Sequence, residues 1–315
     1  MKFGFYLPTR GPTSVPHALE RLLATGEGHG FHSVVIADHV VFPVRVDSRY
    51  PYTVSGAFPG EGDALDQLSL MAFAAAKTRR LRLVTSVMIV PYRNPVLTAK
   101  SLATVDVLSG GRVTVGVGVG WLAEEFAALA TPPFARRGDV TDEYLRIFKN
   151  LWSEDPASYA GEFYRYEALH CQPQPVQKPH PPIWIGGHSR AALRRAATLG
   201  DGWHPVGANP AVPLGADELA GHLDTLRELT ERAGRDFSLL TISYKAPVYD
   251  VEATAGTGEA RRPFTGPAEA VLADVETFAN LGVSELIFDF RSHSLEKSLE
   301  RMEQFTTTVL KEASR

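Results

Sequence analysis

Cysteine is nearly missing from this sequence. Cys171 stands alone among 315 residues, so no disulfide can form within the chain, and a reducing, cytoplasmic setting is expected. Long apolar runs are missing too. None reaches the ~20 residues of a membrane span, and the opening MKFGFYLPTR is too short in apolar residues for a signal peptide. Basic excess is missing: 32 Lys and Arg face 36 Asp and Glu, a formal charge of −4, so neither nucleic acid nor an anionic membrane is an expected partner. Several reaction signatures are absent as well. There is no Gly-Lys-Ser/Thr of a phosphate-binding P-loop and no Gly-x-Ser-x-Gly nucleophile turn. His29 and His32 have ligand-like spacing, but no cysteine or carboxylate cluster completes a metal site.

What is present is a regular alternation. Short apolar segments at residues 2–7, 33–37, 81–90, 112–120, 182–185, 201–206, 239–246 and 285–290 read as strands. Between and after them, residues 16–28, 65–77, 96–108, 139–152, 190–199, 217–233, 265–282 and 295–311 read as helices. The run SVVIA at 33–37 is apolar throughout, which suits a strand covered on both faces, as in parallel sheets. Eight strand–helix units over this length predict an α/β chain folded as a (β/α)8 TIM barrel, in a single domain over residues 1–315. Loop insertions are expected after strands 2, 4 and 7, at residues 42–63, 160–177 and 249–264. The first is rich in aromatics (Phe42, Tyr50, Tyr52, Phe58) and reads as a lid.

The fourth strand is unusual. Val113, Val115, Val117 and Val119 alternate with Thr114, Gly116, Gly118 and Gly120. Successive strand side chains face opposite ways, so one face is branched and apolar and the other almost bare. Each glycine costs roughly 0.5–1 kcal/mol against alanine, so something must lie close to that backbone. Bulky neighbours and a flat ring both remain open as the filling. The other strand tips favour the ring. They carry Pro8 and Thr9, Asp38 and His39, Ser86 to Met88, Gly118 to Trp121, Gly186 to Ser189, Trp203 and His204, Lys245, and Asp289 to Arg291. This set is poor in paired carboxylates and suits a planar aromatic cofactor. Gly186-Gly187-His188-Ser189 has two readings: a phosphate site at a helix N-terminus, or a tight turn with Ser189 as helix cap. His39 is the candidate proton donor or acceptor. Asp38 either fixes its tautomer or, since adjacent residues face opposite ways, bonds the barrel backbone. Arg190, Arg194 and Arg195 read as a solvated helix face, with Arg190 nearest any phosphate. Gly118-x-Gly120-x-x-Ala123 matches a dinucleotide fingerprint, but Asp139, the acid near the required distance, falls inside a helical tract and not at the tip of a second strand.

KFGFYLP at the start, VVIADHV, VTSVMIVPYRNPVLTAKSLATVDVLSGGRVTVGVGVGW and PQPVQKPHPPIWIGGHSRAALRRAATLGDGWHP together resemble the bacterial luciferase-like monooxygenase superfamily. The resemblance is to its deazaflavin (coenzyme F420)-dependent oxidoreductases in particular. It implies a barrel binding F420, or alternatively FMN, over the strand tips. His39 then looks like the catalytic histidine at the ring, with Asp38 beside it. Ser86-Val87 looks like the family's non-prolyl cis peptide. Gly118, Val119, Gly120 and Trp121 look like a wall of the ring site. Gly186, Gly187, His188 and Ser189 look like the phosphate loop, with Trp203 and His204 nearby. The implied activity is hydride transfer between F420 and a small organic substrate. The alternatives are a two-component FMN-dependent monooxygenase, fed by a separate flavin reductase and using O2, and a non-catalytic flavin-binding protein. No metal is implied, and a homodimer is the family expectation. Trp121 stands where some sugar-phosphate dehydrogenases of the family carry a glutamate, so a sugar phosphate is not assigned. Glu124 and Glu125 are expected further up the loop.

Overall fold

The computed structural model of the chain describes residues 1–60, 63–247, 249–250 and 261–312. Its strands are β1 (Lys2–Tyr6), β2 (Ser33–Ile36), β3 (Arg82–Thr85), β4 (Met88–Ile89), β5 (Val113–Gly118), β6 (Ala157–Ala160), β7 (Arg165–Leu169), β8 (Ile183–Gly186), β9 (Gly202–His204), β10 (Thr241–Ala246) and β11 (Glu285–Phe288). Its helices are α1 (Pro16–Gly28), α2 (Gln67–Lys77), α3 (Pro95–Ser109), α4 (Ala123–Ala128), α5 (Arg137–Ser153), α6 (Arg190–Leu199), α7 (Ala216–Arg232), α8 (Ala268–Asn280) and α9 (Leu295–Phe305).

The strands close into a parallel barrel of eight staves, in the order β1, β2, β3, β5, β8, β9, β10, β11 and back to β1. The third stave is broken: β4 resumes it beyond Ser86 and Val87 and pairs Met88 with Val117. This is the expected (β/α)8 architecture. Continuous apolar segments form it because both faces are covered. Val34 and Ile36 pack outward against the helices, with Leu70, Met71, Leu102 and Phe148 in the same core. Tyr6, Val35, Val84, Trp184 and Ile287 fill the interior of the barrel, as such barrels require. Among the described residues no helix is long and apolar enough to cross a membrane.

Helix starts follow local chemistry. Asn94 caps α3 through its side chain, with Pro95 in the first turn. Asp66 caps α2 by accepting from Ser69 N–H, which starts that helix at Gln67, two residues later than read from the sequence. The insertion after the second stave holds no helix or strand over residues 42–60, as expected; of its predicted extent, Glu61 and Gly62 lie outside the described residues. The segment read as irregular at 160–177 is corrected in part. Arg165–Leu169 pairs antiparallel with Ala157–Ala160. The Glu143 carboxylate on α5 accepts the N–H groups of Glu162, Phe163 and Tyr164 in the turn. Strands this short show no readable period, and the group that satisfies their turn is far away in sequence. The loop expected at 249–264 falls mostly outside the described residues, which omit 251–260.

The bare face of the fourth stave requires a larger correction. A Cβ on Gly116 would fall 2.1 Å from the Thr85 carbonyl oxygen, and one on Gly118 would fall 2.6 Å from Val87 Cγ2. The neighbouring stave fills that face, so no ring lies directly against it. The Ser86–Val87 peptide is cis, and Thr85 Oγ1 donates to the Gly116 carbonyl at 2.7 Å. Gly116→Ala is therefore expected to destabilise the fold by roughly 1–3 kcal/mol, the usual cost of overpacking. Gly221, inside α7, has nothing within 4 Å of its Cβ position, and Gly221→Ala is expected to stabilise by about 0.5–1 kcal/mol. Urea unfolding of the two variants checks both signs.

Candidate functional site

A cavity of about 410 Å³ opens at the C-terminal ends of the staves, within the size range of small-molecule sites. The loop at 42–60 roofs it with aromatic rings. Phe42 stacks on Phe58 at 4.9 Å, Phe58 on Trp121 at 5.6 Å, and Tyr50 meets Trp121 edge-on at 5.0 Å. His39 sits at the rim of this cluster, 4.3 Å from Phe42. The loop read as a lid from the sequence thus packs its rings on one another and on Trp121.

Two adjacent glutamates in the first turn of α4 tie the lid down. Glu124 accepts Asp47 N–H at 2.6 Å, Ser48 N–H at 2.9 Å and Ser48 Oγ–H at 2.7 Å. Glu125, with no exposed surface, accepts Val40 and Val41 N–H at 2.7 and 3.2 Å, Tyr92 O–H at 2.8 Å and His39 Nδ1 at 2.8 Å. An ionised carboxylate only accepts, so Nδ1 carries a hydrogen and Nε2 is the ring nitrogen not held by Glu125. Burial pushes the Glu125 carboxyl up, but its bonds from His39, Val40 and Tyr92 and the His39 charge outweigh that and hold it below the ordinary value. Asp38 is not the partner of His39. It accepts a two-pronged bond from Arg93, at 2.7 Å on each oxygen, and Ile89 N–H at 2.9 Å. The second sequence reading of Asp38 therefore holds. Sequence reasoning missed Glu125 as the orienting group; the only available sign was an acidic pair just after the glycine strand.

Ser86 and Val87 both line the cavity. Fully buried His204 braces them: its Nε2 lies 2.9 Å from Ser86 Oγ and its Nδ1 3.1 Å from Ser243 Oγ. Burial, then the nearby Lys245 charge, pushes the His204 imidazole down to about 3, so it is neutral and structural in this pairing. Trp203 departs from the expectation. It points outward into the main core and reaches the site only by donating Nε1–H to the Gly187 carbonyl at 2.7 Å.

A second cavity, about 360 Å³, adjoins the first, and Gly186 and Gly187 line both. Gly187 has φ +84°, a left-handed turn open to glycine at no steric cost. Ser189 and Ala191 at the start of α6 line this second space, with Gly118 and Val119 opposite. The Ser189 side chain caps the Ala192 N–H, so the cap reading is correct and leaves the phosphate reading open beside it. Gly120 lines neither cavity. Its Cβ position meets Phe126 and Ile89, and its carbonyl accepts from Arg137 Nε at 3.2 Å. His188 turns away toward His222, ring to ring at 5.8 Å, and its Nδ1 is buried without a partner. The arginine expectation is corrected too. Arg190 lines neither space, whereas Arg195 is buried, paired with Asp142, and lines the second cavity with Arg137. The helical period put Arg195 on the buried face, but arginine in sequence reads as solvent-facing. Apolar and aromatic walls in one cavity, two guanidinium groups and a helix N-terminus in the next, and a glycine waist between them fit a flat ring joined to a phosphate. Among the described residues no cluster of His, Cys, Asp or Glu could hold a metal ion.

The model of the luciferase-like monooxygenases matches residues 1–255. The FMNH2-dependent dimethylsulfone monooxygenase of Pseudomonas putida is 38% identical over 211 residues, which are 66% of this chain and 56% of that protein. The crystal structure of monooxygenase RslO1 from Streptomyces bottropensis superposes with a TM-score of 0.76 at 25% identity, over 99% of this chain and all of its own. An F420-dependent secondary alcohol dehydrogenase, solved with an F420–acetone adduct, gives 0.76 at 17% identity over 98% of each chain and shares the fold.

Because the native value of Glu125 is lowered, its stabilising contribution is complete above the ordinary glutamate value and is lost as pH falls through the lowered native one. Glu125→Gln is expected to cost about 1–3 kcal/mol near neutrality, the range for stranding buried partners, and to flatten the acid limb of the stability profile. Urea unfolding from neutral to acid pH reads both effects; an unchanged profile would remove Glu125 as the anchor.

Proposed function

The chain belongs to the luciferase-like monooxygenase family, and on that premise we propose that it is an FMN-dependent monooxygenase that draws reduced FMN from a separate reductase and oxygenates a small organic substrate. At the coarser level the chain is an oxidoreductase of the flavin and deazaflavin class. The observation that carries the reading is the pair of cavities joined at Gly186 and Gly187. The Pseudomonas putida relative supports FMN and oxygen chemistry, and RslO1, a monooxygenase, supports oxygenation, whereas the F420-dependent structure is too distant to add more than the fold. The deazaflavin expected from the sequence thus becomes the second reading.

In this proposal Val87 and Trp121 flank the ring, and the Gly186–Gly187 turn, Ser189 and Arg137 receive the phosphate. Bound reduced FMN supplies the two electrons by which one atom of O2 enters the substrate and the other leaves as water. The protein supplies the setting. The aromatic lid excludes water from the reacting groups. Glu125 fixes the His39 tautomer, so Nε2 is the atom that gives or takes a proton at the cavity. His204 and Ser243 hold Ser86 in place.

Titration of the flavin-free protein with FMN, riboflavin and F420 tests the assignment. FMN is expected to bind more tightly than F420, and Arg137→Ala to weaken FMN about tenfold, or ~1.4 kcal/mol, while leaving riboflavin unchanged. His39→Ala is expected to spare FMN affinity and lower substrate turnover by about 10²-fold or more. Tighter F420 binding would favour the second reading; no binding of either would overturn both.

A further inference from the structure

The cavity is chemically two-sided. Val87 and Trp121 belong to the third and fourth staves, with the aromatic lid above. Across the barrel, three consecutive staves carry cations: Arg10 follows β1, Lys245 is in β10 and Arg291 follows β11, and all three line the space. Lys245 Nζ lies 4.9 Å and Arg291 Cζ 4.2 Å from the centre of the Tyr6 ring, and Arg10 Cζ lies 4.4 Å from that of Phe58.

The local charges do not cancel. Asp289, the acid on this side, is taken by Arg291 through contacts of 2.6–3.0 Å. Asp38 is taken by Arg93, and Glu125 by His39. Among the described residues, neither the Lys245 ammonium nor the Arg10 guanidinium has an ion pair or a hydrogen bond, while the Lys245 backbone is bonded to Pro205 and Gly207. Burial pushes the Lys245 ammonium down to about 8, with Asp289 opposing and Arg291 adding to the shift, so it remains largely charged at neutral pH. A half-buried cation whose neighbouring acid is already paired with Arg291 carries a desolvation cost. A ligand of opposite charge offsets that cost.

We propose that the substrate is an organic acid. Its carboxylate or sulfonate is held by Lys245 with Arg10 and Arg291, and its aromatic or alkyl body lies beneath Phe42, Phe58 and Trp121. The proposal rests on the proposed function, with the substrate lying beside the ring in this cavity, and it adds the chemical class. Two guanidinium groups and an ammonium suit an oxyanion, and the ring cluster suits an apolar body.

Calorimetric titration with benzoate, benzenesulfonate, benzamide and inorganic sulfate tests it, on flavin-free and FMN-loaded protein. Benzoate and benzenesulfonate are expected to bind at least about tenfold more tightly than benzamide. Lys245→Met is expected to reduce that preference to within about threefold and Lys245→Arg to keep most of it. Should Lys245→Met fail to fold, the wild-type preference still decides. Equal binding of benzamide and benzoate overturns the proposal. Sulfate binding as tightly as benzoate overturns the organic-acid assignment, and benzoate displaced by FMN gives the cations to the cofactor and overturns it too. Parallel FMN titration separates the two readings: acid preference without FMN binding removes the flavin proposal alone, and FMN binding without acid preference removes this one alone.

Discussion

The close approach of the third stave to the fourth governs the upper half of this barrel. With side chains missing at Gly116 and Gly118, the Thr85 carbonyl and the Val87 side chain settle against the neighbouring backbone. That settling sets Ser86 within reach of His204 and turns Val87 toward the space above. It also fixes the wall between the two cavities, because Val87 Cγ1 would lie 2.9 Å from any Cβ on Gly186. Three glycines on two staves are therefore one packing solution. Substituting any of them presses on the same short segment.

From that wall the two halves of the site diverge in character. The lower-polarity space is closed by rings from the lid, and the adjoining space is edged by Arg137, Arg195 and the start of α6. Dispersion and water exclusion dominate the first; charge and backbone dipoles dominate the second. A ligand with a flat apolar part and a charged end meets each in turn, and this division favours a flavin-type group in the shape of the site itself. The cations on the first, seventh and eighth staves add a second polarity, directed at whatever lies above the ring position.

The barrel was legible in the sequence because eight apolar runs alternate with amphipathic ones, and period carries that information directly. The strand-tip residues were legible for the same reason: once staves are placed, their ends are known. His39, Ser86, Val87, Trp121 and the Gly186–Gly187 turn all come to the cavities. What sequence could not give is what each glycine faces, since a missing side chain says only that something is near. It pointed to a ring where a neighbouring stave lies. Nor could it give Glu125, which reaches His39 across 86 residues of chain, or the inward turn of Arg195. Trp203 and His204 differ by one position and face opposite ways, and the short, polar segment around them does not reveal which is which. Hairpin β6–β7 was hidden because its turn is completed by Glu143 from another element.

Glu124 and Glu125 are neighbours on a helix of only six residues. One grips the middle of the lid, the other its root and the imidazole. One short rod thus carries two handles, so the cover over the cavity and the imidazole at its rim share a single footing.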